Sequence, residues 1–386
     1  MSEVNDLNKE IKLNQKKDEN NRIILLSNNK LKIKDIKENI KLNRKINNNY
    51  ILGKIKIDKG NLKQRIINSY ENIKKEDPDM WDGDELQEIN NEEHILNCNI
   101  FIDDKKIETD YYYDFPKEGI YNIKYIFNKL VKSTSFMFHG CNSLIYLDLS
   151  NFISQNNTNM ENMFFYCSSI QSINFSNFNT EKVTNMRNLF YGCNSLKYLN
   201  LSSFNTKNLK DISCMFKKCS SLIRLDLSNF NGGKLNNMKT MFCHCVSLKE
   251  INFSNFNTKN VINMGHLFFD CKSLISLNLS SFNTENVTDM KYMFNGCSSL
   301  INLDLSNFNI KNVTNMGYMF KDCNSLISLN LSNFNFIKPI YIRSMFKECN
   351  SLTYLDCPNF HSEQKIDIGD IFEGCNSLIN SIVKKF

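Results

Sequence analysis

The sequence predicts an α/β solenoid: a right-handed coil with a parallel sheet along one side and short helices along the other, preceded by a small β-rich domain. Three observations predict it. Cys recurs at 141, 167, 193, 219, 245, 271, 297, 323, 349 and 375, always 26 residues apart. Phe stands three residues before each of them, from Phe138 to Phe372, and Ser two residues after, from Ser143 to Ser377. Between these markers lies an L-x-x-L-x-L pattern, as in Leu300, Leu303 and Leu305. A fixed period without insertions is the mark of stacked supersecondary units, each too small to bury its own apolar face.

Taken in order, residues 1–48 are rich in Asn and Lys. The first 50 residues hold 12 Lys/Arg against 7 Asp/Glu, a net +5, so nearly all of the chain's +6 resides there. Such a composition predicts a disordered, solvated tail. Residues 50–130 form the β-rich domain. YILGKIKI and GIYNIKYIF carry β-branched and aromatic residues in partial alternation, which suits strands. NCNIFIDDKKIE reads as a hairpin turning at Asp103–Asp104, YYYDF as a further strand, and the acidic KKEDPDMWDGDELQE as a loop or short helix. The solenoid then occupies 131–386, with about ten repeats.

One unit, from residue 290, is MKYMFNGCSSLINLDLSNFNIKNVTN. Leu303 and Leu305 alternate with a polar residue, which predicts a short strand with Leu facing inward. Met290, Met293 and Phe294 fall at i, i+3 and i+4, one face of a short helix. Asp289, Asn315 and Asn185 stand where that helix would need an N-cap. Phe308 and Val313 bury the return from strand to helix.

This wording, M-F-x-x-C-x-S-L-x-x-L-x-L-S-x-F-x-T-x-x-V-x-x-M, resembles the BspA-like repeat, also described as the DUF285 or Mycoplasma-lipoprotein-like surface-protein repeat. Its strand half resembles leucine-rich repeats in general. The resemblance implies a leucine-rich-repeat-like coil and a role in adhesion or protein–protein interaction on a cell surface, in bacteria or protists. One departure stands out. Leucine-rich repeats place Asn three residues after the third Leu, whereas this chain has Phe there: 152, 178, 204, 230, 256, 282, 308 and 334. A stacked phenylalanine spine is expected in its place, with Ser or Thr supplying some of the lost hydrogen bonds.

No catalytic constellation emerges, and no enzyme is expected; the alternative is an unrecognised activity of the N-terminal domain. The five His are scattered at 94, 139, 244, 266 and 361, so the Ser column lacks a base. It reads as a hydrogen-bonding ladder serving the turn before the strand. There is no C-x-x-C, and a Cys column in a solenoid is expected to be a reduced interior ladder. His244 beside Cys243 and Cys245 is the one cluster with metal-like types, and its spacing does not favour a site. No cofactor and no metal is therefore expected.

The expected partner is a protein. The chain beyond residue 50 is near neutral as a whole, which argues against a dedicated nucleic-acid surface on the folded part, and no run of 18 apolar residues suggests a transmembrane segment. The N-terminus carries no apolar run of the secretory kind, so the expected location is cytoplasmic, with the cell surface as the alternative the resemblance implies.

Two outward strand columns remain. One is wholly Asp or Asn, from Asp148 to Asp356, and its regularity predicts side-chain pairing along the sheet. The other varies, and its larger members, Tyr146, Tyr198, Arg224, Glu250 and Tyr354, are the candidate partner-binding residues. Stacking leaves this column free, and Tyr and Arg are enriched at interface hot spots.

Overall fold

The computed structural model describes residues 49–76, 91–336, 340–357 and 370–378. All belong to the unit Asn49–Phe386. The tail 1–48 and most of the acidic stretch 74–88 lie outside the described residues.

The repeat begins on a prepared edge. Strand β1 (Tyr50–Ile57) alternates exposed and buried residues, with Ile51, Ile55 and Ile57 turned inward. It pairs antiparallel with β6 (Gly119–Phe127) on one side and with β7 (Leu144–Asp148) on the other. Beyond β6 come β3 (Cys98–Ile102) and β4 (Lys105–Ile107), joined by a turn in which Asp103 and Asp104 both have positive φ. Because β7 also pairs in parallel with β8 (Ser172–Asn174), one sheet runs from the N-terminal strands into the solenoid. Gly53 permits this sandwich: a Cβ there would lie 2.9 Å from side-chain atoms of both Ile123 and Leu147. Strands β2 (Lys63–Arg65) and β5 (Tyr112–Asp114) make a small separate pair. Helices α1 (Tyr70–Glu76) and α2 (Glu92–Leu96) complete this part.

The coil at 198–200 forms no strand, and each coil from 224 to 356 contributes one of two or three residues: β9 (Arg224–Asp226), β10 (Glu250–Asn252), β11 (Ser276–Leu277), β12 (Asn302–Leu303), β13 (Ser328–Asn330) and β14 (Tyr354–Asp356). Pairing is parallel and every matched pair is 26 residues apart, as in Arg224↔Glu250, Leu277↔Leu303 and Ser328↔Tyr354. Every residue thus lies beside its own counterpart, which is why the columns are so uniform.

Two phenylalanine ladders run through the core. Phe138, Phe164, Phe190 and their counterparts to Phe372 stack with ring centroids 5.6–5.7 Å apart. The second ladder is the predicted spine, with Phe152–Phe178 at 6.0 Å, Phe230–Phe256 at 6.2 Å and Phe256–Phe282 at 5.9 Å. Strand β6 closes both ladders at their first rung. Tyr125 sits edge-on to Phe138 at 5.4 Å and Phe127 edge-on to Phe152 at 5.1 Å. The β-rich segment therefore caps the solenoid, as terminal units of repeat arrays must.

The structure corrects the expectation of short helices. Among the described residues, the segment from Met290 to Cys297 and its counterparts are consecutive turns. The reason lies in the amides. In a helix, N–H groups would reach back to i−4. Here alternate amides reach across to the next coil: Met160 N donates to Asn185 O at 2.9 Å, Phe164 N to Leu189 O at 3.0 Å and Tyr166 N to Tyr191 O at 2.7 Å. The remaining amides close i−3 turns, as Met163 N does to Met160 O. Two left-handed residues per coil make this alternation possible. One column runs from Phe136 through Tyr292 to Ser344, the other from Gly140 through Asp270 to Gly374. The expected N-caps become turn formers: Asn185 Oδ1 accepts from Arg187 N at 2.9 Å and Asp289 Oδ1 from Lys291 N at 2.9 Å.

The second left-handed column holds Gly in four coils and a side-chain-bearing residue in the others, so substitutions there should act with opposite signs. Asp322 has φ 61°, and Asp322→Gly is expected to raise stability by about 0.5–1 kcal/mol. Gly296 has φ 74°, and a Cβ there would lie 2.4 Å from Asp270 Oδ1. Gly296→Val is expected to cost about 2–3 kcal/mol. Urea unfolding of the two variants checks both values; equal signs would remove the backbone explanation.

Candidate functional site

Burial settles what the cysteine column can do. Cys141 through Cys349 are fully buried, and none of the described cysteines is in a disulfide. From Cys167 onward each ladder thiol donates to one backbone carbonyl. Cys167 Sγ donates to Phe138 O at 3.0 Å, Cys193 Sγ to Phe164 O at 3.2 Å, and the pattern repeats to Cys375 and Phe346. Burial pushes Cys297 up to about 12 and Cys243 up to about 11, so these sulfurs stay protonated and poor as nucleophiles. Thiol titration should therefore find few reactive groups in the folded protein and about all 14 after unfolding without reductant. A markedly lower count after unfolding would show disulfides.

His244 is not poised as a ligand with its neighbouring cysteines. Its Nδ1 lies 3.2 Å from Asp270 Oδ2 and its ring meets Phe269 edge-on. Among the described residues no group of three His, Cys, Asp or Glu is placed to hold a metal ion.

The Asp/Asn column on the strand has a different role from the one expected. From Asp148 to Asn330 each member turns back onto the backbone two residues on. Asp148 Oδ1 accepts from Ser150 N at 2.9 Å, Asp226 Oδ1 from Ser228 N at 2.9 Å and Asp304 Oδ1 from Ser306 N at 2.9 Å. These bonds hold the carboxyl groups of Asp226 and Asp304 below the usual range. Lateral pairing is secondary, as between Asn174 Nδ2 and Asp148 Oδ1 at 3.0 Å. The hydrogen bonds of the missing asparagine ladder are supplied one residue before the Phe spine: Asn307 Nδ2 donates to Leu279 O and Phe282 O, and Ser281 Oγ to Phe253 O. Thr258 and Thr284 add bridges between coils.

The variable column splits into three places. Tyr146 lies on β7 opposite Lys54 of β1, half-buried by the cap. Tyr354 is 53% exposed on β14, at the end of the four-stranded sheet β11–β14. Tyr198, Arg224 and Glu250 come together. Residues 198–200 form no strand, so the sheet is interrupted between β8 and β9. Around that interruption lies an open groove of about 520 Å³. Tyr198, 62% exposed, forms one side, and Arg224 with Glu250 the other. Arg224 Nε and Glu250 Oε2 are 3.3 Å apart, both side chains 65% exposed, a geometry worth little in stability but open to a partner. Chemically the groove offers an aromatic face, a hydroxyl, a planar donor fork and a carboxylate.

The family described as Mycoplasma protein of unknown function, DUF285, matches residues 132–250, 158–276 and 269–386, together the whole repeat region. The chain belongs to the DUF285 family. No curated protein matches it. Among solved structures, the crystal structure of the TLR13-ssRNA13 complex is similar over 62% of this chain, at 15% identity and a TM-score of 0.22. The match spans 39% of that chain. The DUF285 repeat is thus an interior of Phe, Leu, Met and Cys columns with Asx turns at its corners.

On the face whose varied charges, Lys217, Lys218, Lys321 and Glu348, read in the sequence as plain solvation, aromatic rows went unnoticed. Opposite the strands, half-exposed aromatic residues follow one another from coil to coil, with Phe165–Tyr191 at 4.6 Å and Tyr292–Tyr318 at 4.6 Å. The residues two before each Cys, among them His139, Phe165, Tyr191, Lys217 and Phe269, and those five before, such as His266, Tyr292 and Tyr318, could have signalled it.

Proposed function

We propose that this DUF285 chain is a non-enzymatic protein-interaction scaffold whose ligand seats on the strand face at Tyr198, Arg224 and Glu250. The observation that carries this reading is the groove at the sheet interruption. There an exposed Tyr and an exposed Arg–Glu pair converge, while the columns on either side are committed to turns and core. Tyr brings apolar area with a polar tip at little entropic cost, and Arg brings directional donors. Tyr354 and the half-covered Tyr146 would serve as outlying contacts.

The test is the double substitution Tyr198→Ala with Arg224→Ala, assayed against a protein recovered by pulldown with the full chain. Loss of about 2 kcal/mol or more of binding energy is expected for hot-spot residues. Unchanged affinity in a variant with wild-type melting would remove this groove as the site.

A further inference from the structure

We propose that the turn side of the solenoid, around Lys217, Lys218, Lys239 and Lys291, is a docking surface for the acidic segment 77–88 of a second copy of this chain. It is a different face from the groove and goes beyond the reading above. The patch rests on contacts. Lys217 Nζ lies 5.4 Å from the Tyr191 ring centroid and Lys218 Nζ 5.6 Å from it. Lys218 also lies 6.0 Å from the Tyr166 ring, and Lys291 Nζ 5.0 Å from the Tyr292 ring. The ammonium groups of Lys217, Lys218 and Lys291 thus lie over aromatic rings, and Lys218 Nζ also donates to Tyr166 Oη at 3.4 Å. His266 marks the centre: its ring stacks on Tyr292 at 4.7 Å. Burial, joined by Lys239, Lys291 and Lys217, drives its pKa down to about 4.

Among the described residues, none of the four lysines has a carboxylate within ion-pair distance. The nearby acids stay charged but take other hydrogen-bond partners. Asp270 faces His244 and Lys272, Asp289 takes the Lys291 amide, and Asp211 takes Ser213 N and Asn237 Nδ2. Four lysines therefore stand on this side without a carboxylate at ion-pair distance, against the nearby charges of Asp270 and Asp289.

The same chain supplies its complement. Residues 77–88, DPDMWDGDELQE, hold six acidic residues, no basic one and the chain's only Trp. Trp81 adds an apolar group suited to a cation-bearing aromatic surface. A nucleic acid fits less well. Single-stranded ligands use free aromatic faces as stacking platforms, and these rings already face one another.

Sedimentation velocity of the full chain tests the proposal. The expected result is reversible self-association that weakens as salt is raised. Lys217→Glu with Lys218→Glu, and separately Asp82→Lys with Asp84→Lys, should each raise the dissociation constant at least about tenfold. Mixing the two variants should restore association, because the reversed charges again face each other. Lys239→Glu with Lys291→Glu provides a second reversal should the first fail to fold. A wild-type chain that stays monomeric at low salt, variants that associate unchanged, or a mixture without recovery would overturn it. Binding of a single-stranded oligonucleotide at the patch, with no self-association, would also overturn it. The strand-face variant Tyr198→Ala with Arg224→Ala should associate normally, which separates this surface from the groove.

Discussion

Phe256→Ala is expected to cost about 3–5 kcal/mol in urea or guanidinium unfolding. Phe256 is 1% exposed and sits mid-spine between Phe230 and Phe282, with Phe253 edge-on at 5.2 Å. Removing the ring leaves three aromatic neighbours facing a void. Collapse to fill it is hindered, because every neighbouring ring is also a rung for the next coil. In a one-dimensional array such a lesion weakens two interfaces at once, so the loss belongs at the upper end of that range. A change below about 1 kcal/mol would mean that the column does not carry the stacking described above.

Raising the pH through about 9 to 12 is expected to unfold the protein, driven by the cysteine ladder. A free thiol titrates near 8.5. Nine ladder thiols, Cys141 through Cys349, are fully buried, and desolvation raises their pKa values, to about 12 for Cys297. Below the ordinary thiol range both states hold the protons and stability is complete. Above it, the unfolded chain releases protons that the folded chain retains. Stability then falls by up to about 1.4 kcal/mol per pH unit for each such thiol. The melting temperature should drop steeply between pH 9 and 11, and Cys245→Ser with Cys271→Ser should make the drop shallower. An unchanged slope in that double variant would show that other groups drive the alkaline transition.

Much of this molecule was legible in its residues because stacking imposes the same demand on every coil. The 26-residue interval, the buried Phe, Leu and Cys columns and the Phe spine all follow from one residue lying beside its own counterpart. The variable strand column was legible for the converse reason: the core does not dictate Tyr198, Arg224 or Glu250. Other features were not. The Asp/Asn column looked like lateral pairing because a period reports that a position is constrained, without saying by what; Asp226 is constrained by Ser228 N, two residues on in its own chain. The aromatic turn side was hidden because its residues change type from coil to coil.

The sequence by itself determined the period, the family and the contents of the core. Only the tertiary structure decided whether M-x-x-M-F would coil as a helix or run as turns. In isolation both arrangements bury Met290, Met293 and Phe294 on one side. They differ in where the amides go, and a neighbouring coil offers carbonyls such as Asn315 O to Met290 N at 2.9 Å. A single unit lacks those acceptors and would have to satisfy its amides internally; stacked units satisfy them outward, and the helix gives way.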